Sequence, residues 1–176
     1  MTDEQNQKIV GKPISASRIT LTQLMQTEHA NILGNVHGGW IMKLVDEAGA
    51  LAAMRHSQKR VVTVAVDQMV FQHPIRTTDL VILNAEVSYT GRTSIETEVQ
   101  VLAENPLTGE CWHTNTAYIV YVALDQAGQP TPVPPLIPET EEQRLRMETG
   151  QQRQAQRKAR FANALPIEIP HREPST

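Results

Sequence analysis

The sequence predicts an α+β domain in which an antiparallel β-sheet wraps around one long helix. Three observations carry this. A single long stretch ahead of the strands has the helical period, four long β-branched runs follow it, and the turn signals between those runs leave only short connections. Only that helix is available to cover the sheet, and its flanks are more apolar than a helix exposed on its far side would carry.

Arg18 to Met25 alternates Ile19 and Leu21 with polar neighbours, the pattern of a half-buried strand. A loop runs from Gln26 to His37. Gly38 to Met54 then places Ile41, Leu44, Val45, Ala48 and Ala52 on one helical face. The strands that follow are Val61 to Phe71, Leu80 to Tyr89, Thr93 to Ala103 and Cys111 to Leu124. They are separated by His73-Pro74, by Gly91, and by Asn105-Pro106 with Gly109. Cys111 opens an apolar run and reads as a small core hydrophobe rather than a nucleophile.

Eight of the eleven prolines lie at or after Pro130, which places the end of the compact domain just before them. The expected organisation is an N-terminal arm over 1–16, one folded domain over 17–128, an extended proline-rich linker over 129–138 and a charged tail over 139–176. Glu139 to Leu165 has acids first and Arg153, Arg157, Lys158 and Arg160 near its other end, as a helix dipole prefers. It reads as a mostly solvated helix, with its basic end a lesser candidate for a phosphate or a partner subunit.

At 176 residues the chain holds one domain plus appendages. A net charge of −3 supplies no basic field, so nucleic acid is not an expected partner. One cysteine excludes an intrachain disulfide framework and a Cys-pair zinc site, and fits a reducing compartment. The polar start Met1 to Lys8 lacks the apolar stretch of a secretory signal, and runs such as Ala117 to Leu124 fall far short of the roughly 20 residues a spanning helix needs. A soluble cytoplasmic protein that does not engage a membrane is expected. His29, His37, His56, His73, His113 and His171 are scattered without ligand spacing, so no metal site is expected. The serine-hydrolase elbow, the phosphate loop of nucleotide triphosphatases, the dinucleotide fingerprint and the zinc-protease motif are all missing from the sequence.

The remaining chemistry gathers around the helix. Asp46 falls opposite the face centred on Ile41, among Met42, Gly49, Ala50 and Ala53. Small apolar residues there suit close approach of a second subunit or a slender ligand, with Asp46 partly desolvated as a base. The plainer alternative pairs Asp46 with Lys43 on a wet surface. Gly38-Gly39 opens the helix, where free N–H groups and the positive dipole end suit a developing oxyanion, although paired glycines also mark simple turns. Asn31 supplies a side-chain amide in the preceding loop.

These residues fall into a longer pattern. Asn31-x-x-Gly34-x-x-x-Gly38-Gly39-Trp40-Ile41-Met42, followed by Asp46 and Gly49-Ala50, resembles the signature of the acyl-CoA thioesterases of the hotdog-fold superfamily. Arg60-Val-Val-Thr-Val-Ala-Val-Asp67, Phe71-x-x-Pro74-Ile75, Gly91-Arg92-Thr93-Ser94 and the run from Pro132 to Glu142 extend the resemblance over about residues 18 to 145. It implies a sheet around a long helix, and hydrolysis of acyl-CoA to free fatty acid and CoA. It further implies a homodimer as active unit with sites at its interface, assembled as a trimer of dimers.

By the same resemblance Asn31 and Asp46 are the catalytic pair, contributed by the two different partners. Asp46 is then general base or transient nucleophile, Asn31 orients water or substrate, and the N–H of Gly39, with Gly38, polarises the thioester carbonyl. A thioester has a good leaving group, so no serine nucleophile is needed. Gly91, Arg92, Thr93 and Ser94 offer a guanidinium, two hydroxyls and backbone donors for the CoA phosphates, and Arg60 is a second candidate. No cofactor is implied, since CoA is part of the substrate. Leu51 stands where the related hydratases carry a histidine, which disfavours hydration. The rival reading is an acyl-CoA sensor without turnover. A DNA-binding version would need a helix-turn-helix that the roughly 17 residues before the first strand are too few to hold.

Overall fold

The structure, a computed structural model, describes residues 9–162; the first residues of the arm and the end of the tail, His171 included, lie outside the described residues. Its architecture is the α+β one expected: five antiparallel strands around a central helix, with a second helix on the outer face. In chain order the elements are β1 (Lys12–Pro13), β2 (Ile19–Leu24), α1 (Gly38–Ser57), β3 (Arg60–Met69), β4 (Leu80–Thr90), β5 (Ser94–Glu104), β6 (Cys111–Leu124), β7 (Leu136–Ile137) and α2 (Glu141–Ala162). The sheet order is β2-β4-β5-β6-β3, and one row of partners runs across it: Ile19, Ala85, Val99, Ala117 and Met69.

α1 begins where expected and runs one turn further. His37 caps its start, with the ring accepting the Gly39 N–H, and Gln58 ends it in the left-handed conformation at φ 56°. Ile41, Leu44, Val45, Ala48 and Ala52 are all buried against the inward residues of β4, β5 and β6. Each fully buried large aliphatic contributes about 1.5–3 kcal/mol. β3 lies at one edge of the sheet, with Val62, Val64 and Val66 exposed along it and Val70 and Phe71 exposed just past its end.

Three expectations are corrected. The chain beyond Gly128 does not leave the core: Val133 and Leu136 are buried in it, and β7 pairs in parallel with β1 of the arm, where Ile14 is buried too. The prolines make this segment an extended strap, and extended chain packs as well as it links. Cys111 is exposed, because it stands at the mouth of β6 where the alternation has not yet entered the core.

α2 is the third correction, for it is docked rather than solvated. Its start shifts from the expected Glu139 to Glu141 because Thr140 and Gln143 form a capping box: the Gln143 N–H meets Thr140 Oγ1 at 3.2 Å, and Gln143 Oε1 accepts the Thr140 N–H at 3.2 Å. Gln143, Gly150 and Arg157 are buried, with Arg146, Met147, Arg153 and Gln154 half-buried between them, a helical stripe made mostly of polar residues. Arg153 Nη2 lies 2.7 Å from Glu96 Oε1, Arg146 bridges Glu86 and Glu98, and Arg157 pairs with Asp67. Gly150 permits this approach, since a Cβ there would stand 2.7 Å from Tyr89 Cβ.

Candidate active site

α1 and its approach loop hold most of the predicted groups, but at two separate places. At the helix start, Asn31, Asn35, Gly38, Ile41, Phe71 and Pro74 line a groove of about 280 Å³. Asn31 Oδ1 accepts the N–H of Leu33 at 2.8 Å and of Asn35 at 3.3 Å, which folds the loop and turns the amide NH₂ outward. The Gly38 N–H meets no acceptor among the described residues. The Gly39 N–H does: His37 Nδ1 takes it at 2.9 Å. Of the two amides expected at an oxyanion, only that of Gly38 is therefore free in this arrangement, while that of Gly39 is capped by an exposed ring.

Asp46 stands two turns further along α1, about 12 Å from Gly38 at the rise of an α-helix. Lys43 does not pair with it, because Lys43 Nζ goes to Glu47 Oε1 at 2.6 Å. Asp46 Oδ1 instead accepts the Thr63 hydroxyl at 2.7 Å and lies 3.2 Å from the Tyr121 hydroxyl, which also meets the Asp46 carbonyl at 2.9 Å. Oδ2 has no partner among the described residues. The small residues expected around Asp46 divide: Met42 is exposed and Ala50 half-buried, but Gly49 and Ala53 are buried inside this chain's own core. Their angle from Ile41 puts them on the far flank of α1, yet the sheet curls far enough around the helix to cover that flank as well.

Gly91 to Ser94 forms the tight connection of β4 to β5, closed by the Gly91 N–H to the Ser94 carbonyl at 2.9 Å. Arg92 is exposed, and its guanidinium has no partner among the described residues. The carbonyls of Arg92 and Thr93 accept from Val133 and Ala123, and Ser94 Oγ accepts from Gln154 of α2 at 3.0 Å. Arg60 is differently committed: its Nη2 donates to the carbonyls of Asp125 and Gln126 at 2.7 and 3.0 Å, so it staples a turn instead of awaiting a phosphate.

Sequence reasoning did not single out Thr63 or Tyr121. Each lies inside a strand-forming apolar run, and the one available signal for Thr63 is a hydroxyl interrupting valines. Burial first, then the neighbouring Asp46 carboxylate, pushes the Tyr121 phenol well above its ordinary value, so it stays a proton donor.

Comparison with known proteins bears on this arrangement. Residues 33–110 match the family model described as the thioesterase superfamily. A cytosolic acyl coenzyme A thioester hydrolase of Rattus norvegicus is 36% identical over 149 residues, which is 84% of this chain and 39% of that protein, so the chain spans about two fifths of that relative's length. A Bacillus subtilis protein described as an uncharacterized acyl-CoA thioester hydrolase is 34% identical over 88% of this chain and 93% of its own. A hexameric acyl-CoA thioesterase superposes with a TM-score of 0.84 at 38% identity, over 89% of this chain and all of that one. An acyl-CoA hydrolase of Staphylococcus aureus, solved with butyryl coenzyme A and coenzyme A, gives 0.80 at 32% identity over 86% and 92%. That protein has also been solved with an aspartate, an asparagine or a threonine replaced by alanine.

Proposed function

The chain belongs to the acyl-CoA thioester hydrolases of the thioesterase superfamily, and from that membership together with the site geometry we propose that it hydrolyses acyl-CoA to a free fatty acid and CoA in the cytoplasm. The observation that carries this reading is the Asp46 carboxylate, with Oδ1 held by hydroxyls and Oδ2 open. The three alanine positions of the S. aureus enzyme follow one another in the order, and at the separations, of Asn31, Asp46 and Thr63 in this chain. That coincidence supports all three as site residues.

In this reading Oδ2 of Asp46 takes a proton from water as the water oxygen bonds to the thioester carbon. The carbonyl oxygen becomes an oxyanion, met by the Gly38 N–H at the positive end of α1 and by the Asn31 amide. The Gly39 N–H joins them once the His37 ring turns aside. Collapse breaks the C–S bond, and the proton on Asp46 passes to the CoA thiolate. Arg92, with the hydroxyls of Thr93 and Ser94, holds CoA phosphates; Gly91, whose N–H is taken by the Ser94 carbonyl, shapes the turn, and Arg60 supports this end of the sheet indirectly.

Two elements of one site lie too far apart within one chain to share a substrate carbonyl, which is the argument for a dimer. β3 offers a long unpaired edge set with exposed valines, the kind of edge a second copy pairs with. Antiparallel pairing of two β3 strands about a two-fold axis sets the Thr63 end of one against the Phe71 end of the other. That brings Asp46 of one protomer toward the Asn31 and Gly38 groove of its partner. The hexameric relative supports further assembly, as three such dimers.

Release of free thiol from short, medium and long acyl-CoA esters tests the proposal. Asp46→Ala is expected to lower kcat by about a thousandfold or more with assembly intact. Arg92→Ala is expected chiefly to raise KM. Wild-type turnover by Asp46→Ala would overturn the assigned chemistry, and tight binding of CoA esters by the wild type without thiol release would make the protein a sensor.

A further inference from the structure

The Tyr121 hydroxyl takes no step in the chemistry above, yet α1 is shaped to admit it. Tyr121 is fully buried on β6, between β5 and β3, and its hydroxyl reaches past the helix backbone to the Asp46 carbonyl and Oδ1. Gly49 makes the passage. A Cβ at that position would stand 2.5 Å from the Tyr121 hydroxyl and 2.7 Å from Thr97 Oγ1, closer than such contacts allow, so any larger residue displaces the phenol. The charged neighbours on this stretch of α1, Lys43 and Glu47, engage each other and leave Asp46 to the sheet.

Resting on the reading of Asp46 as the base, we propose that Tyr121 is a positioning residue for the hydrolysis, fixing the carboxylate so that Oδ2 is the oxygen that acts on water. A carboxylate on a partly exposed helical flank turns freely about its last torsion, and both oxygens then serve equally. Two hydroxyls on Oδ1 stop that rotation and occupy its lone pairs. Thr63 holds the oxygen from the edge strand; from a central strand the single Tyr121 proton is shared between Oδ1 at 3.2 Å and the carbonyl of the same residue at 2.9 Å, which ties the carboxylate to its own backbone. Gly49 is thereby given a task, which is to leave room for a phenol.

Tyr121→Phe removes the hydroxyl and keeps the ring in the core. Measured beside wild type and Asp46→Ala with butyryl-CoA, it is expected to lower kcat by about tenfold or more while KM stays within about twofold and the assembly is unchanged, the signature of a lost charge-assisted hydrogen bond at the reacting end alone. Wild-type kcat in Tyr121→Phe, with Asp46→Ala inactive, would overturn the positioning role and leave the base standing. Full activity in Asp46→Ala would overturn the base, and the positioning role with it. Should Tyr121→Phe fail to fold, Gly49→Ala replaces it, since it keeps the phenol and pushes it off Asp46: a loss confined to kcat supports the role, and an unchanged kcat overturns it.

Discussion

α1 meets the inner face of the sheet through Ile41, Leu44, Val45, Ala48 and Ala52, whereas α2 meets the outer face through Arg146, Arg153 and Arg157 set against Glu86, Glu96, Glu98 and Asp67. Both come close enough to need a glycine, Gly49 in one and Gly150 in the other. The inner contact removes apolar area from water, a gain that scales with area and needs no particular pair of atoms. The outer contact gains little from desolvated charges as such, but each charge left without its partner is costly, so it fixes register more than it adds stability. The candidate base sits on the apolar helix, on the flank that leaves the core.

Leu44→Ala is the largest expected break in the comparison: a cavity under α1 should cost about 3–4 kcal/mol in urea unfolding. An effect below about 1 kcal/mol would mean that the inner face is not the main source of stability. Arg153→Met should cost slightly less, about 3 kcal/mol, because Glu96, with its side chain 1% exposed, would lose its nearest cation. The sharper test is the double substitution Arg153→Met with Glu96→Leu, which should recover most of that loss. If it recovers nothing, the outer face owes its strength to the ion pairs themselves.

The smallest expected effect concerns the strap over the end of α1. His56 is buried, Nε2 meets the Pro134 carbonyl at 2.8 Å, and Nδ1 has no partner among the described residues. Burial chiefly, and Lys12 in addition, holds its pKa below the ordinary 6.5, against the raising effect of the Pro134 bond. The unfolded chain therefore takes up this proton first. Stability from His56 is present above its ordinary value and lost as pH falls through the lowered one. As pH falls below the ordinary 6.5 the wild type should lose more stability in urea unfolding than His56→Gln. Equal losses would show that His56 beneath the strap does not govern this pH dependence.

Much of the inner half was legible in advance. The period of Ile41 to Ala52 gives α1 and its core face, the alternating runs give the strands, and the position of Asp46 on the helix follows from the same count. The outer half was not. The stripe of α2 that docks reads Gln143, Arg146, Gly150, Arg153 and Arg157, residues that hydrophobic periodicity assigns to water, and the acids that receive them sit on the outward positions of distant strands.

The sequence by itself determined where apolar surface is buried, and with it the helix, the strands and a cluster of candidate polar groups. Only the tertiary structure decided what those groups do. Tyr121 reaches Asp46 from 75 residues along the chain to join Thr63 of the strand after α1, and Arg60 is taken by the carbonyls of a turn 65 residues on. The reason is physical. Burial of apolar side chains repeats with the local period of each element, so it is written in neighbouring residues, while a hydrogen bond joins two particular atoms whose meeting depends on the packing of every element between them.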